Sequence, residues 1–104
     1  MVHIEDEIDT EWRTNYPSGY QRFLELYSPY NIFYLKFWYI KHIRRYGYVH
    51  IKLKGTEQTF KFVLQDKKNR EGPTLVNGQE FETIYKAWRY YQDAIFENII
   101  KNSE

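Results

Sequence analysis

The sequence predicts an α+β fold, α-β-β-β-α in order, with a three-stranded antiparallel sheet and two helices packed on one face. Three observations lead there. Side chains alternate with a period of two through residues 32–65, as strands require. Apolar residues recur at helical spacing in residues 17–28, and again from 80 to about 101.

Residues 1–16 read as an acidic N-terminal arm, and residues 17–104 as a single domain. In the arm, Glu5, Asp6, Glu7, Asp9 and Glu11 are interrupted by Ile4, Ile8 and Trp12, spaced by four. That spacing fits a short helix laid on the body. It equally fits a solvated tail, or an acidic arm folded over a basic surface. The first helix of the domain has Tyr20, Phe23, Leu24 and Tyr27 on one stripe, with Ser18 and Gln21 in a capping-box pattern and Pro29 as its stop.

The first expected strand is residues 32–42. It places Phe33, Leu35, Phe37 and Tyr39 on one face and Tyr34, Lys36, Trp38, Ile40 and His42 on the other. Arg44-Arg45-Tyr46-Gly47 then turns the chain. In the next run Val49, Ile51 and Leu53 oppose Tyr48, His50, Lys52 and Lys54. Gly55-Thr56-Glu57-Gln58 is a hairpin loop into the third run, where Phe60, Phe62 and Leu64 oppose Thr59, Lys61 and Val63. Matching the apolar faces places Trp38 opposite Lys52, Lys36 opposite Lys54, and Lys52 opposite Lys61. Beyond a polar loop, Thr74-Leu75-Val76 reads as a short extended piece before Asn77-Gly78. The last helix carries a broad stripe of Phe81, Ile84, Tyr85, Trp88, Tyr91, Ile95 and Ile99, capped by Asn77 with Glu80 or by Thr83.

Composition narrows the function classes. The 104 residues contain no cysteine, which excludes disulfides and thiolate metal sites and is compatible with a reducing cytoplasm. Charges interrupt every apolar run, so no membrane association is expected. Net charge is only +1, but residues 36–70 hold ten of the fifteen Lys and Arg against Glu57 and Asp66. With eleven Tyr, seven Phe and three Trp, more rings are present than a core of this size hides.

No residue pattern specifies a reaction. His3, His42 and His50 have no acid on a shared face to orient an imidazole or complete a metal shell. There is no phosphate-binding glycine loop and no serine beside a histidine. The expectation is a protein that is not an enzyme and takes no cofactor.

The helix–three-strand–helix order over residues 18–101 is similar to that of double-stranded-RNA-binding domains. Those domains place basic residues at the start of the last helix. Here that helix opens with Glu80 and Glu82, and Lys67, Lys68 and Arg70 stand before the preceding loop. Phe81-Glu82-Thr83, followed by Ala87, Arg89 and Tyr91, resembles the helix start of plant AP2-type DNA-binding domains. These implicate DNA or RNA.

The expected working surface is the uncovered sheet face. Lys36, Lys52, Lys54 and Lys61 would hold phosphates, Tyr34, Trp38 and Tyr48 would stack on bases, His50 lies among them, and Arg44 and Arg45 extend the footprint. Lysine opposite lysine costs stability, so an anionic partner is implied. That partner is nucleic acid, or an acidic protein surface. The second case describes a small protein inhibitor, such as a phage anti-defence or toxin-immunity protein.

Overall fold

The computed structural model describes residues 7–104. The expected arm residues Ile4, Glu5 and Asp6 lie outside the described residues. Four helices and a four-stranded antiparallel sheet make an α+β fold, as the sequence predicts for class. The elements are α1 (Glu7–Asn15), α2 (Pro17–Tyr27), α3 (Ile32–Tyr46), β1 (Tyr48–Lys52), β2 (Thr59–Leu64), β3 (Thr74–Val76), β4 (Gln79–Phe81) and α4 (Ile84–Ile95). A single π-helical turn (Phe96–Ile100) and a 3-10 turn (Lys101–Ser103) follow α4.

The main correction concerns residues 32–42, which are helical and not a strand. Ile32, Tyr39 and Ile43 are buried, and Leu35, Lys36 and Ile40 are half-buried beside them. That set follows a period of 3.6. Asn31 starts the helix by accepting the Tyr34 N–H on its side chain at 2.9 Å. Gly47 ends it in the left-handed region at φ 79°, its N–H donating to the Ile43 carbonyl at 2.8 Å. The segment between these caps has fifteen residues and no glycine or proline, far longer than an ordinary strand. Arg44 to Gly47 is therefore the end of a helix rather than a hairpin turn.

The two expected strands after it are present, and their faces are as read from the sequence. Strand β1 pairs with β2 in the register Tyr48↔Val63, His50↔Lys61 and Lys52↔Thr59. Lys52 thus faces a threonine, and Lys61 faces a histidine. The expected Trp38–Lys52, Lys36–Lys54 and Lys52–Lys61 pairs do not form. Leu53 N–H donates to Gln58 O and Leu64 N–H to Gly47 O, each at 2.8 Å, at the two ends of this ladder. The piece at residues 74–76 pairs with β2 and, through a tight Asn77-Gly78 turn with both residues at positive φ, with a fourth strand. The sheet order is β1-β2-β3-β4.

Among the described residues, helices cover one face of the sheet only. Tyr39 of α3 meets Phe62 edge-on at 4.8 Å between ring centroids and Trp88 of α4 at 5.2 Å, while Tyr91 sits on Phe60 at 5.0 Å. Val49, Leu53, Leu64 and Val76 complete the buried sheet face. The molecule is 19 Å across its thinnest axis, the depth of a sheet plus one helical layer.

Helix α4 begins later than residue 80, because Glu80 and Phe81 belong to β4. Thr83 is its cap, accepting the Lys86 N–H at 3.1 Å. Helix α2 starts with Pro17 in its first turn and Tyr16 at the cap position without a side-chain bond, so the Ser18–Gln21 capping box does not form. Helix α1 lies on the body through buried Trp12, which packs against Phe96 at 5.3 Å, and buried Asp9. Three N-terminal helices and a fourth strand depart from both resemblances. The Phe81-Glu82-Thr83 run serves here as the end of β4 and the cap of α4.

Candidate binding surface

The outward side of α3 is built from its own periodicity. With Ile32, Tyr39 and Ile43 pinned inward, residues at i, i+4, i+7 and i+11 from Tyr34 must point away: Tyr34, Trp38, Lys41 and Arg45. Phe37 lies beside them, 53% exposed, with Trp38 at 48% and Tyr46 at 50%. Together with Tyr30 and His42 they line a shallow depression of about 330 Å³. So many half-bare rings on one helix face form an apolar patch of the kind that marks an interaction site.

The rings continue from helix to sheet. Trp38 meets His42 at 5.3 Å, and His42 meets Tyr46 at 4.7 Å and Tyr48 at 6.2 Å. Tyr48 meets His50 at 5.5 Å. His42 Nδ1 lies 3.0 Å from the Tyr48 carbonyl oxygen, which fixes the helix end to the start of β1. The two elements therefore share one surface at this corner, and Tyr48, His50, Lys52 and Lys61 extend it over the open sheet face.

The ten residues picked from the sequence divide accordingly. Tyr34, Trp38 and Arg45 stand on the outer face of α3, while Tyr48, His50, Lys52 and Lys61 stand on the open sheet face. Three do not join them. Lys36 is on the inward half of α3, half-buried. Arg44 is tied to Glu71 and donates to the Tyr85 hydroxyl at 2.6 Å, so it binds α3 to the far loop and to α4. Lys54 places its ammonium 5.0 Å from the ring centroid of Tyr27, on the α2 side. The sequence reading also missed Tyr30, Phe37, Lys41 and Tyr46. Plotting residues 32–46 at 100° per residue would have found the last three, because it puts them beside Trp38.

Along α3 the charge on this surface is of one sign, and acids enter only on the sheet side, where Glu80 stands in register with Leu75, Val63 and Tyr48. No acidic residue occurs between Glu25 and Glu57. Lys41 lies over Phe37 at 5.3 Å and Arg45 over Tyr46 at 5.4 Å, and neither has an acidic partner among the described residues. Among the described residues, only Lys52 on this surface meets a carboxylate, Glu57 at 3.8 Å, in an exposed pair of little strength.

Shifted tyrosine titrations lie elsewhere, under the sheet. Burial pushes the hydroxyls of Tyr39 and Tyr91 far above the ordinary tyrosine range. Burial also raises Tyr27, partly offset by its hydrogen bonds with Tyr91 and the Lys54 N–H. These groups are structural: Tyr27 and Tyr91 share a hydrogen bond of 2.9 Å, and Tyr39 donates to the Ile84 carbonyl at 2.8 Å. Among the described residues no three His, Asp or Glu side chains come together as metal ligands, and no helix is long and apolar enough to cross a membrane. No family model, no curated protein and no solved structure matches this chain.

Proposed function

We propose that this protein is a non-enzymatic binding module that docks onto, and occludes, an acidic surface of a protein partner, in the manner of a small inhibitor protein. The observation that carries the reading is the outer face of α3. It offers Trp38, Phe37, Tyr34 and Tyr46, half-exposed, flanked by Lys41 and Arg45 with no acidic partner among the described residues. Aromatic residues and arginine make most interface hot spots. Phe37 and Trp38 line a local depression on one helix face, whereas binding a strand of nucleic acid calls for a charged groove that tracks its backbone.

The nucleic-acid reading keeps one specific support. Lys52 and Lys61 share the open sheet face with Tyr48 and His50, where a single strand could be stacked and neutralised.

Affinity capture from host lysate tests the proposal with three baits: the natural chain, Trp38→Ala/Arg45→Glu, and Lys52→Glu/Lys61→Glu. The expected result is a protein retained through nuclease treatment and lost with the α3 variant, a drop of at least tenfold. Capture that vanishes with nuclease, falls steeply with salt and depends on Lys52 and Lys61 transfers the function to nucleic acid.

A further inference from the structure

Among the described residues the β1 strand is an edge of the sheet, paired only with β2. Its ladder fixes which backbone groups face outward. Gly47–Leu64 and Leu53–Gln58 are hydrogen-bonded pairs at the two ends, so the alternation of an antiparallel ladder makes Val49 and Ile51 the bonded residues between them. Tyr48, His50 and Lys52 therefore point their N–H and C=O groups away from β2. The same alternation holds on the other side of β2, where Asn77 N–H donates to Lys61 O at 3.0 Å.

The two ends of this outer edge are closed. His42 Nδ1 meets the Tyr48 carbonyl at 3.0 Å, and the Lys54 N–H donates to the Tyr27 hydroxyl at 3.1 Å. Between them the outward N–H and C=O of His50 and Lys52 have no partner among the described residues. An open edge of this sort is a template for another strand. Side chains of an added strand on the His50 and Lys52 side would meet Lys52, Lys61 and two histidines, a surface that favours carboxylates. Those on the opposite side would meet half-buried Ile51 and favour apolar residues.

We infer that the outer edge of β1 binds an extended segment of the protein partner as a fifth strand, a segment in which acidic residues alternate with apolar ones. This rests on the reading of the chain as a protein-binding module and names the element that the partner supplies. Main-chain bonds to His50 and Lys52 give the affinity, and the alternating charges fix the register.

The test uses a substitution that the ladder makes selective. Of the backbone groups, proline at residue 50 removes only the outward N–H, because His50 donates nothing to β2, and proline is tolerated on an edge strand in that orientation; His50→Ala, which loses the imidazole but keeps the N–H, separates the two effects. Random dodecamer peptides displayed on phage are selected against the natural chain. The enriched sequences are then synthesised and titrated against the natural chain, His50→Pro and Trp38→Ala/Arg45→Glu. The expected outcome is enrichment of alternating acidic–apolar peptides whose affinity falls at least tenfold with His50→Pro, together with slowed amide exchange at His50 and Lys52 on binding. As a check that does not depend on the folding of the proline variant, the same peptides carrying N-methyl groups at alternate residues should lose binding to the natural chain. Peptides that bind His50→Pro and the N-methylated series undiminished overturn the edge-strand inference. If those same peptides are lost with the α3 variant, the docking face itself stands. No enrichment against the natural chain overturns the inference as well.

Discussion

At the scale of single residues, Asp9 is the most telling side chain of the scaffold. It is 1% exposed, accepts the Tyr20 hydroxyl on Oδ1, and receives the Ile32 N–H on the same oxygen at 3.4 Å. One carboxylate thus joins α1, α2 and the first turn of α3, where N–H groups lack helical partners. Its Oδ2 has no partner among the described residues. Asp9→Ala would remove the acceptor that a buried hydroxyl and a helix N–H share, and should cost about 1–3 kcal/mol. Asp9→Asn keeps an acceptor in the same place and should recover most of that loss. Denaturant midpoints of the two variants check this, and equal loss in both would show that the charge, rather than the acceptor, matters.

Among the elements, α2 and the π-helical turn bring two backbones close together at Gly19. A Cβ built on Gly19 falls on the Ile100 carbonyl, so the helix can pass there only without a side chain. Gly19 N–H also donates to the Glu104 carboxylate. Gly19→Ala should therefore destabilise by about 1–3 kcal/mol, although alanine is the better helix former. A thermal melt that rises with this substitution would mean the C-terminal turn moves freely from α2. At this same scale the sequence was hardest to read. Residues 32–42 are apolar or aromatic at nearly every position, so a period of two and a period of 3.6 both find matches. The β-branched and aromatic content suggested a strand, while the caps Asn31 and Gly47 and the uninterrupted length decided for a helix. Where alternation was clean, in residues 48–54 and 59–64, the strands and both of their faces were legible.

For the whole molecule, three tyrosines under the sheet tie stability to alkaline pH. Tyr27, Tyr39 and Tyr91 have their acidity suppressed by burial, above the ordinary value of 10.0. The folded state therefore keeps protons that the unfolded chain releases. Their contribution is complete below about pH 10 and falls above it, by about 1.4 kcal/mol per pH unit for each tyrosine still protonated in the fold. Phenolate absorbance should rise smoothly for exposed tyrosines and then in a cooperative step with loss of helical circular dichroism. Titration of all eleven tyrosines near pH 10 with the fold intact would contradict the buried network.

The sequence by itself determined the α+β class, the β1–β2 hairpin with its apolar and polar faces, the stripe of α4, and the one-sided charge of the middle of the chain. These follow from local periodicity and composition, which a linear reading contains. Only the tertiary structure decided which residues stand together. Once Tyr39 and Ile43 turned inward against Phe62 and Trp88, helical geometry sent Trp38, Lys41 and Arg45 outward beside Phe37, drew Lys36 to the inner half of α3, and left Arg44 to Glu71. The choice between two periods in one aromatic run was made by packing against residues far along the chain, and no local pattern records that energy.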